Sequence, residues 1–249
     1  MQRTLRKFFP LFVLPTLIAF VIVFLIPFLM GIYLSFTEFT TVTDSQWVGL
    51  KNYITAFTAN KEFVNALWFT VKFAVVSVIS INVIGFAMAS LLTRGIRGTN
   101  LFRTVLFMPN LIGGIVLGWI WQMIGYMMII YIAGIQSIPT ELYDAAAVDG
   151  ANGWQRLTNV TLPMCMPSIT ICTFLTLTNS FKLFDQNLAL TAGAPSKKTT
   201  MLALDIFNTF YGRVGFEGVG QAKAVVFFVL VAGIAFVQLW LTRRKEVNQ

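Results

Sequence analysis

Three carboxylates, those of Glu141, Asp144 and Asp149, lie in one short polar stretch between two strongly hydrophobic segments. Carboxylates can serve in acid–base catalysis, but the chain has no histidine, the commonest general base and metal ligand in proteins. No carboxylate lies within a predicted membrane span either. The acidic stretch therefore predicts a surface that docks another protein, and we expect no catalytic residue and no metal site in this chain.

The same stretch, residues 137–163, predicts two short helices joined at a glycine. Pro139 and Thr140 are typical of a helix start, and Gly150 can adopt the positive φ that ends a helix. We expect the second helix to end at Leu162-Pro163, before the next span. Small side chains beside the acids would let a partner surface approach closely. The predicted docking residues are Glu141, Asp144, Ala145, Ala146, Asp149, Gly150, Ala151, Leu162 and Pro163. An amphipathic helix lying in the lipid headgroups is the alternative, but such helices are usually basic.

A second set of polar residues could bind a neutral solute. The hydrophobic segment of residues 164–184 carries hydroxyl and amide groups at spacings of three and four, which places several on one helix face. These groups can bond to their own helix backbone, join helix to helix, or form a hydrogen-bonding wall for a polar solute. In the last interpretation the pathway is lined by Asn82, Asn110, Thr173, Thr176, Asn179 and Ser180.

The elements that position these residues are predicted to be membrane-spanning helices. Of the 249 residues, 57% are hydrophobic and 11% are charged, whereas soluble domains are about 25% charged. The apolar residues form runs long enough to cross a bilayer, which takes about 20 residues each. Because lipid cannot satisfy backbone polar groups, these runs must be helical. We predict an all-α integral membrane protein, with residues 1–249 in a single transmembrane domain.

The net charge of +8 comes from basic residues that flank the hydrophobic runs. Arg3 and Arg6 precede the first run, Arg97 follows the second, and Arg243 and Arg244 follow the last. Positive residues collect on the cytoplasmic side of membrane proteins. The pattern predicts contact with lipid, no nucleic-acid partner, and both termini in the cytoplasm, which requires an even number of spans.

One uncharged stretch has the wrong length for this topology. No residue from Thr104 to Thr140 is charged, and one helix of that length would measure about 55 Å, against a hydrocarbon core of about 30 Å. Two spans and a turn would need more than about 40 residues. We therefore predict six spans, with a loop and part of a helix absent near Met123 and Ile124. A membrane-embedded hairpin that turns near Gly125 is the alternative.

Residues 138–151, followed by Leu162-Pro163, resemble the cytoplasmic coupling loop of binding-protein-dependent ABC import permeases, commonly called the EAA motif. The glycine, here Gly150, and its spacing to the Leu-Pro pair are the strongest marks of that motif. Asp144 stands where the family has a glutamate, which keeps the charge and shortens the side chain. The resemblance runs from the first span to the C-terminus, except for the short region between the third and fourth spans.

A second resemblance points to one branch of that family. Residues 180–186 and 190–195 are similar to the segment that follows the fifth span in the carbohydrate branch, the maltose-type sugar importers. That branch usually has Gly-Gly-x-Pro where this chain has Ala192-Gly193-Ala194-Pro195, so the match is partial.

The resemblance implies a permease subunit, in a bacterial or archaeal cell membrane, for a sugar or oligosaccharide delivered by an extracytoplasmic binding protein. It also implies an ABC ATPase dimer and a second homologous permease subunit as partners. ATP and magnesium would belong to the ATPase, since this chain has no G-x-x-x-x-G-K-[ST] phosphate loop, and we expect no cofactor in the chain itself. The coupling helices would transmit ATP-driven closure as a rigid-body switch between inward- and outward-open states.

Other functions remain open from the sequence. An importer of another small solute, such as glycerol phosphate, would share the coupling loop, although no arginine cluster faces the membrane interior. A non-transporting membrane scaffold could retain the ATPase-docking loop, and the short middle region is compatible with it. A membrane-embedded enzyme would need catalytic groups at membrane depth, and a proton- or sodium-coupled carrier would need an intramembrane acid; the predicted spans contain no such acid.

Overall fold

The computed structural model describes residues 13–59, 61–94, 98–112 and 118–243, without the side chains of Val42 and residues 109–112. Most of this part of the chain is helical. In chain order the elements are α1 (Val13–Leu34), β1 (Thr37–Glu38), β2 (Gln46–Trp47), α2 (Lys51–Thr58), α3 (Glu62–Leu92), α4 (Thr99–Ile112), α5 (Trp119–Gln136), α6 (Thr140–Val148), α7 (Gly153–Met164), α8 (Met166–Phe181), α9 (Asp185–Leu190), α10 (Leu202–Gly212) and α11 (Glu217–Arg243).

Four of the described helices, α1, α3, α5 and α11, are long and apolar enough to cross a membrane. Helices α7 and α8 meet at a bend of 70° and supply a fifth span if the pair is counted as one. The predicted helical membrane architecture is therefore confirmed. The described helices provide four or five spans, against the six that the charge pattern predicts.

The chain forms two compact units. One contains the described residues up to Phe63 together with Asp205–Phe228. The other contains Val64–Leu204 and the described remainder of α11.

The first unit includes a short antiparallel sheet in which Thr37 lies opposite Trp47. Asn52 on α2 is buried, and its Nδ2 donates to the carbonyl oxygens of Ser35 (3.0 Å) and Thr37 (2.8 Å). Gly218 on α11 lies against the same carbonyl oxygen of Thr37, where a Cβ atom would clash. The sheet and the two helices thus share one set of buried backbone contacts.

A buried ion pair joins α10 to α11 in this unit. Lys223 Nζ donates to Asp205 Oδ2 and to Thr209 Oγ1, each at 2.8 Å, and both charged side chains are only 7% exposed. The ammonium group also lies 5.3 Å from the centroid of the Phe63 ring, a distance at which a cation is attracted to an aromatic face. The lysine charge is therefore compensated on two sides.

The second unit has its core around α5. Helices α3, α4, α5 and α8 contribute the buried core residues Ile81, Ala89, Leu92, Leu106, Met123, Ile124, Met127, Met128, Tyr131, Ile132 and Cys172. Met127 and Met128 have no exposed surface. Their flexible side chains suit the irregular space between crossing helices.

Helices α4 and α5 form a hairpin, and all of it from Thr104 onward belongs to the uncharged stretch. Gly125 lies against the carbonyl oxygen of Leu106, with no room for a Cβ atom. Helix α4 ends at Ile112 and α5 begins at Trp119, so the two contact residues are equally far from the connection and the helices are antiparallel. The alternative of a turn at Gly125 is wrong, because this glycine lies inside α5 and serves close helix packing.

The hairpin is short for a pair of membrane spans. Helix α4 has 14 residues and α5 has 18, which at about 1.5 Å per residue gives about 21 Å and 27 Å. Both values are below the hydrocarbon thickness of about 30 Å. Helix α5 runs without interruption through Met123 and Ile124, the position at which the sequence predicts an absent segment.

Candidate functional site

Helix α6 carries the acidic stretch and is fixed to the protein along one side. It begins after Pro139 with Glu141 in its first turn, where a carboxylate interacts favourably with the helix dipole. Ile138, just before the helix, is 5% exposed. One turn into the helix, the Tyr143 hydroxyl lies 3.1 Å from Thr161 Oγ1 on α7. These contacts hold α6 in place and leave its other side open.

A glycine ends α6 in the way that the sequence predicts. Gly150 has φ +74°. Its N–H donates to the Ala147 carbonyl oxygen (3.1 Å), and the Ala151 N–H donates to the Ala146 carbonyl oxygen (2.9 Å). This pair of bonds is a Schellman motif, which satisfies the last carbonyls of a helix and requires a residue with positive φ.

Helix α7 begins at a capping box immediately after this turn. Asn152 Oδ1 accepts the Gln155 N–H (2.9 Å), and Gln155 Oε1 accepts the Asn152 N–H (2.8 Å). Arg156 Nε donates to the Ala151 carbonyl oxygen at 3.0 Å. Because the connection is held by hydrogen bonds within a few residues, α6 and α7 form one preorganised two-helix unit.

The structure brings the predicted docking residues together on this two-helix unit. Exposed members are Glu141, Asp144, Ala145, Asp149 and Gly150, and partly buried members are Ala146, Ala151, Leu162 and Pro163. None of the three carboxylates forms an ion pair with a basic residue in the part of the chain that the structure describes. The acids are thus available to a partner.

Large apolar side chains are exposed beside these acids. Val148 at the end of α6 is 89% exposed, Trp154 at the start of α7 is 72% exposed, and Leu142 is 39% exposed. Tryptophan at the centre of an interface often carries much of the binding energy. The two-helix unit therefore combines unpaired carboxylates with apolar anchors.

The second helix does not end at Leu162-Pro163, contrary to the sequence-based expectation. Helix α7 continues to Met164, and the 70° bend into α8 comes at Cys165. Pro163 has no N–H to donate to the preceding turn, and a wide π-helical turn at Leu157–Thr161 lies where that bond is lost. The helix absorbs the proline by widening and then bends two residues later.

Helices α3, α5 and α8 meet at a buried polar cluster. The Tyr131 hydroxyl donates to Asn82 Oδ1 (2.6 Å), and Asn82 Nδ2 lies 3.4 Å from Thr176 Oγ1. Asn82 Nδ2 also donates to the Val78 carbonyl oxygen (2.8 Å), and the fully buried Thr176 donates to the Cys172 carbonyl oxygen (2.8 Å). Two predicted pathway residues, Asn82 and Thr176, are thus brought together, with their polar groups satisfied inside the protein.

The remaining predicted pathway residues do not join this cluster. Ser180 and Asn179 donate to carbonyl oxygens of the preceding turn of α8, at 2.7 Å and 2.8 Å. Thr173 is partly buried, and the Asn110 side chain lies outside the described residues. Bonding to the helix backbone, one of the alternatives that the sequence leaves open, therefore accounts for much of the polarity of α8. Their role in lining a pathway stays a prediction.

Two polar groups of the structure are not singled out by the sequence. Tyr131 is separated by 49 positions from its partner Asn82, and an isolated tyrosine in an apolar helix gives no sign of such a contact. Lys223 and Asp205 are 18 positions apart on different helices. The only signal was a lysine at the edge of a hydrophobic run, since such a charge must find a partner.

The segment that resembles the carbohydrate branch forms α9 and a tight loop. Asn187 on α9 holds the loop: its Nδ2 donates to the Thr199 carbonyl oxygen (2.8 Å) and its Oδ1 accepts the Met201 N–H (2.9 Å). Gly193 has φ +89° and lies against the Thr200 side chain, where a Cβ atom would clash. The one glycine retained from the Gly-Gly-x-Pro pattern is therefore required by both backbone conformation and space.

The described residues contain no group of three or more histidine, cysteine, aspartate or glutamate side chains that could hold a metal ion. Cys165 and Cys172 are buried and unpaired. The two-helix unit offers a surface on which a partner could dock, and the polar cluster offers hydroxyl and amide groups for hydrogen bonding.

Comparison with known proteins assigns a family. Residues 102–247 match the family described as binding-protein-dependent transport system inner membrane component. A probable starch degradation products transport system permease protein of Thermoanaerobacterium thermosulfurigenes is 43% identical, covering 96% of this chain and 94% of that protein. A multiple sugar-binding transport system permease protein of Streptococcus mutans is 28% identical, covering 99% of each. A trehalose/maltose transport system permease protein of Thermococcus litoralis is 27% identical, covering 94% and 92%.

The alignment with the Thermoanaerobacterium protein also reveals a difference in length. It spans 278 positions and includes 96% of the 249 residues, which is about 239, so about 40 positions of the relative have no counterpart in this chain. Because the alignment covers almost all of both proteins, the difference is internal.

Solved structures share the fold. A bacterial ABC transporter involved in the import of the acidic polysaccharide alginate contains a chain that superimposes with a TM-score of 0.79 at 20% identity, covering 98% of each chain. A bacterial alginate ABC transporter in complex with its pentasaccharide-bound periplasmic protein gives 0.71 at 19% identity, covering 97% and 95%.

Proposed function

Because the chain belongs to the family of binding-protein-dependent transport system inner membrane components, we propose that it is the permease subunit of an ATP-driven importer of a sugar or oligosaccharide. The observation that carries this proposal is the two-helix unit of α6 and α7. Its acids are unpaired among the described residues, and the side chains of Val148 and Trp154 are exposed.

In this proposal an ABC ATPase docks on the two-helix unit. Burial of Val148 and Trp154 would supply the apolar contact, at about 25 cal/mol per Å² of apolar surface removed from water, and Asp144 would face basic groups of the partner. A Cβ atom on Gly150 would have no described atom outside its own neighbours within 4 Å, so the space beside it is free for the partner backbone. ATP and magnesium would be bound by the ATPase, because this chain has no phosphate loop.

The substrate class is supported by the relatives. Their names concern starch degradation products, multiple sugars, and trehalose or maltose. The buried polar cluster of Asn82, Tyr131 and Thr176 is uncharged and offers hydroxyl and amide groups, which suit a neutral polyol.

We further propose that the pathway residues become accessible when the helices separate. Asn82 and Thr176 would exchange their internal hydrogen bonds for bonds to substrate hydroxyls, and Tyr131 would release Asn82 as it does so. The other proposed members of this pathway are Asn110, Thr173, Asn179 and Ser180.

The hairpin of α4 and α5 supports a cytoplasmic position for both termini. The chain enters and leaves an antiparallel hairpin on one side, so the hairpin counts as two short spans of a six-span permease. Helices α1 and α3 make the first two crossings, and the hairpin adds two more that return the chain to the side from which α4 started. Helices α8 and α11 then bring the number of crossings to an even total. The two-helix unit and both termini then share the cytoplasmic side, in keeping with the basic residues that flank the spans.

We assign the internal length difference to this hairpin. Both of its helices are shorter than the hydrocarbon core, whereas α3 has 31 residues and α11 has 27. The roughly 40 residues that the relative has in excess are enough for a loop and the outer halves of two helices at about 1.5 Å per residue. The Met123–Ile124 position predicted from the sequence lies in the outer half of α5.

Two further partners complete the proposed importer. A second homologous permease subunit would close the pathway, and an extracytoplasmic binding protein would deliver the substrate. The alginate transporter solved together with its periplasmic protein supports the second partner. Among the described residues, α1 buries no side chain and the stretch 224–241 of α11 buries only Ala235, which leaves surface for a second subunit and for lipid.

The shortened hairpin favours one competing function, that of a membrane scaffold which keeps the ATPase-docking unit and does not transport. ATP-dependent uptake by reconstituted vesicles, with and without the binding protein, separates the two. We expect uptake of radiolabelled maltodextrin or trehalose that requires both ATP and the binding protein. If the chain captures the ATPase but the vesicles take up none of the sugars supplied together with the binding protein, the scaffold is favoured.

A further inference from the structure

A cavity of about 540 Å³ lies beside the two-helix unit, within the second compact unit. The ends of α3 and α5 form one side, and α6 and α7 form the other. The lining residues are Ser90, Thr93, Arg94, Ile135, Gln136, Ile138, Thr140, Tyr143, Gly153, Arg156, Leu157 and Thr161. The volume falls in the range of about 300–1,000 Å³ that is typical of small-molecule sites.

The cavity is basic. Arg94 and Arg156 both line it, and its described lining includes no carboxylate. Within the described part of the chain, Arg156 donates one hydrogen bond, from Nε to the carbonyl oxygen of Ala151, and a guanidinium group has five N–H donors. Neither arginine forms an ion pair within the described residues. Two uncompensated positive charges therefore border one concave surface.

The lining also includes a serine whose hydroxyl is buried, Ser90. Ser90 Oγ has less than 1 Å² of accessible surface and no hydrogen-bond partner among the described atoms. A buried polar atom without a partner costs free energy, and native structures seldom leave one unexplained. Because Ser90 lines the cavity, rotation of its side chain would bring the hydroxyl to a ligand oxygen there and satisfy it.

We propose that this cavity binds a phosphate-bearing anion, either the headgroup of an anionic phospholipid or a soluble phosphate ester. Arginine forks match the oxygen geometry of phosphate and form strong charge-assisted bonds. The apolar side chains of Ile135, Ile138 and Leu157 would contact the carbon part of the ligand. Basic pockets between membrane helices on the cytoplasmic side are known to take lipid headgroups.

Binding would connect the docking unit to the membrane helices. Arg156 belongs to α7, and Arg94 follows the end of α3, so one phosphate group held by both would link these two elements. The cytoplasmic position of the cavity rests on the proposed function, whereas the chemistry of binding does not. A bound anion would therefore strengthen the mechanical coupling between α7 and the membrane helix α3.

The test uses the purified transporter in phosphatidylcholine nanodiscs and measures binding by native mass spectrometry. The probes are short-chain phosphatidylglycerol, glycerol 3-phosphate, and short-chain phosphatidylcholine as the zwitterionic reference. The variants are R94Q/R156Q, Gly153→Leu, and K197Q/K198Q as a charge-matched control at two exposed lysines. Gly153 lines the cavity, and a Cβ atom there would have no described neighbour within 4 Å, so leucine fills the space and keeps both charges.

We expect the wild type to bind an anionic probe at least about tenfold more tightly than the zwitterionic one, since one charge-assisted hydrogen bond is worth a factor of about ten or more. R94Q/R156Q and Gly153→Leu should lose this preference, and K197Q/K198Q should keep it. Binding of phosphatidylglycerol alone assigns the lipid source, and binding of glycerol 3-phosphate assigns a soluble one. Equal binding of all three probes by the wild type, or an unchanged preference in both cavity variants, overturns the proposal.

This readout does not depend on transport. If the transporter takes up no sugar but shows the arginine-dependent preference, the anion site is supported and the proposed function is contradicted. If uptake is normal but no anion preference is found, the proposed function is supported and the anion site is contradicted.

Discussion

Two regions of the molecule differ in whether their polar groups have partners. They are the two-helix unit of α6 and α7 and the polar cluster of Asn82, Tyr131 and Thr176. The first is held together by bonds between residues close in sequence, and its carboxylates are exposed without partners among the described residues. The second joins three helices that are distant in sequence. Tyr131 and Thr176 are buried, Asn82 is partly buried, and their polar groups are satisfied. The acids of α6 also differ from Asp205, which is buried and forms an ion pair with Lys223.

This difference separates two kinds of function. A surface that keeps its shape and leaves charges unpaired is prepared to receive a partner. A buried network that links several helices must break and reform if those helices are to move past one another. Substitutions in the two-helix unit should therefore change coupling and spare stability, while substitutions in the buried contacts should change stability first.

The largest effect is expected for Gly150→Trp, which tests the docking side of the comparison. A bulky residue would occupy the space reserved for the partner, and its φ of +74° adds about 1–2 kcal/mol of backbone strain. Uptake should be abolished and ATPase association weakened, with the chain still present in the membrane. The assays are vesicle uptake and copurification of the ATPase.

Gly215 provides a matched control for this substitution. It has φ +82°, and a Cβ atom there would also meet no other atom, but it lies between α10 and α11. Gly215→Trp should retain uptake and ATPase association. Wild-type uptake by Gly150→Trp would refute the docking assignment, and equal loss in both variants would attribute the effect to backbone strain.

The next largest effect concerns stability. Lys223→Met leaves the buried Asp205 carboxylate without its partner, which should lower the free energy of unfolding by about 3–5 kcal/mol. Lys51→Met removes a pair with Glu38 whose side chains are 64% and 56% exposed, and such surface pairs contribute about 1 kcal/mol or less. Thermal unfolding midpoints of the two variants check the difference. Similar midpoints would show that the buried pair does not stabilise the first unit.

A smaller effect is expected for Tyr131→Phe. It removes the hydroxyl that donates to Asn82 Oδ1 and leaves this partly buried acceptor without its partner, at a cost of up to about 1–3 kcal/mol. Tyr211→Phe is the control, because that side chain is 73% exposed and surface changes usually stay within about 0.5 kcal/mol. If Tyr131→Phe unfolds at the wild-type temperature, the cluster does not join the three helices energetically.

The smallest change in stability is expected for Asp144→Glu and Asp144→Asn. The side chain is exposed, so both variants should unfold within about 0.5 kcal/mol of the wild type. Glutamate restores the usual residue of the motif and should keep ATPase stimulation, whereas asparagine removes the charge and should reduce it. Equal stimulation in both variants would show that the charge at this position does not contribute to docking.

The sequence predicts the two-helix unit well because its signals are local. Pro139, Gly150 and the polar residues near them determine where the helices start and stop through bonds to neighbours within five positions. The proline at 163 misleads, since a widened helical turn accommodates it and the bend falls at Cys165. An isolated proline gives no information on whether the helix around it can widen.

The buried contacts could not be predicted in the same way. The pairing of Tyr131 with Asn82 and of Lys223 with Asp205 depends on which helices become neighbours, and a helical period alone does not determine this. The uncharged stretch of residues 104–140 is too long for one span and too short for two. Its solution as two short helices depends on the contact of Gly125 with Leu106, which no local pattern indicates.

The central claim, that the two-helix unit receives the ATPase, is tested most directly by cross-linking from two equally exposed valines. Val148 at the end of α6 and Val214 near the start of α11 are each 89% exposed, and the two native cysteines are buried. Val148→Cys and Val214→Cys, each carrying a photoactivatable thiol reagent, are assembled with the ATPase subunits in vesicles. We predict that the reagent at position 148 captures the ATPase and that the reagent at position 214 does not. Capture from position 214 alone, or equal capture from both, would contradict the account.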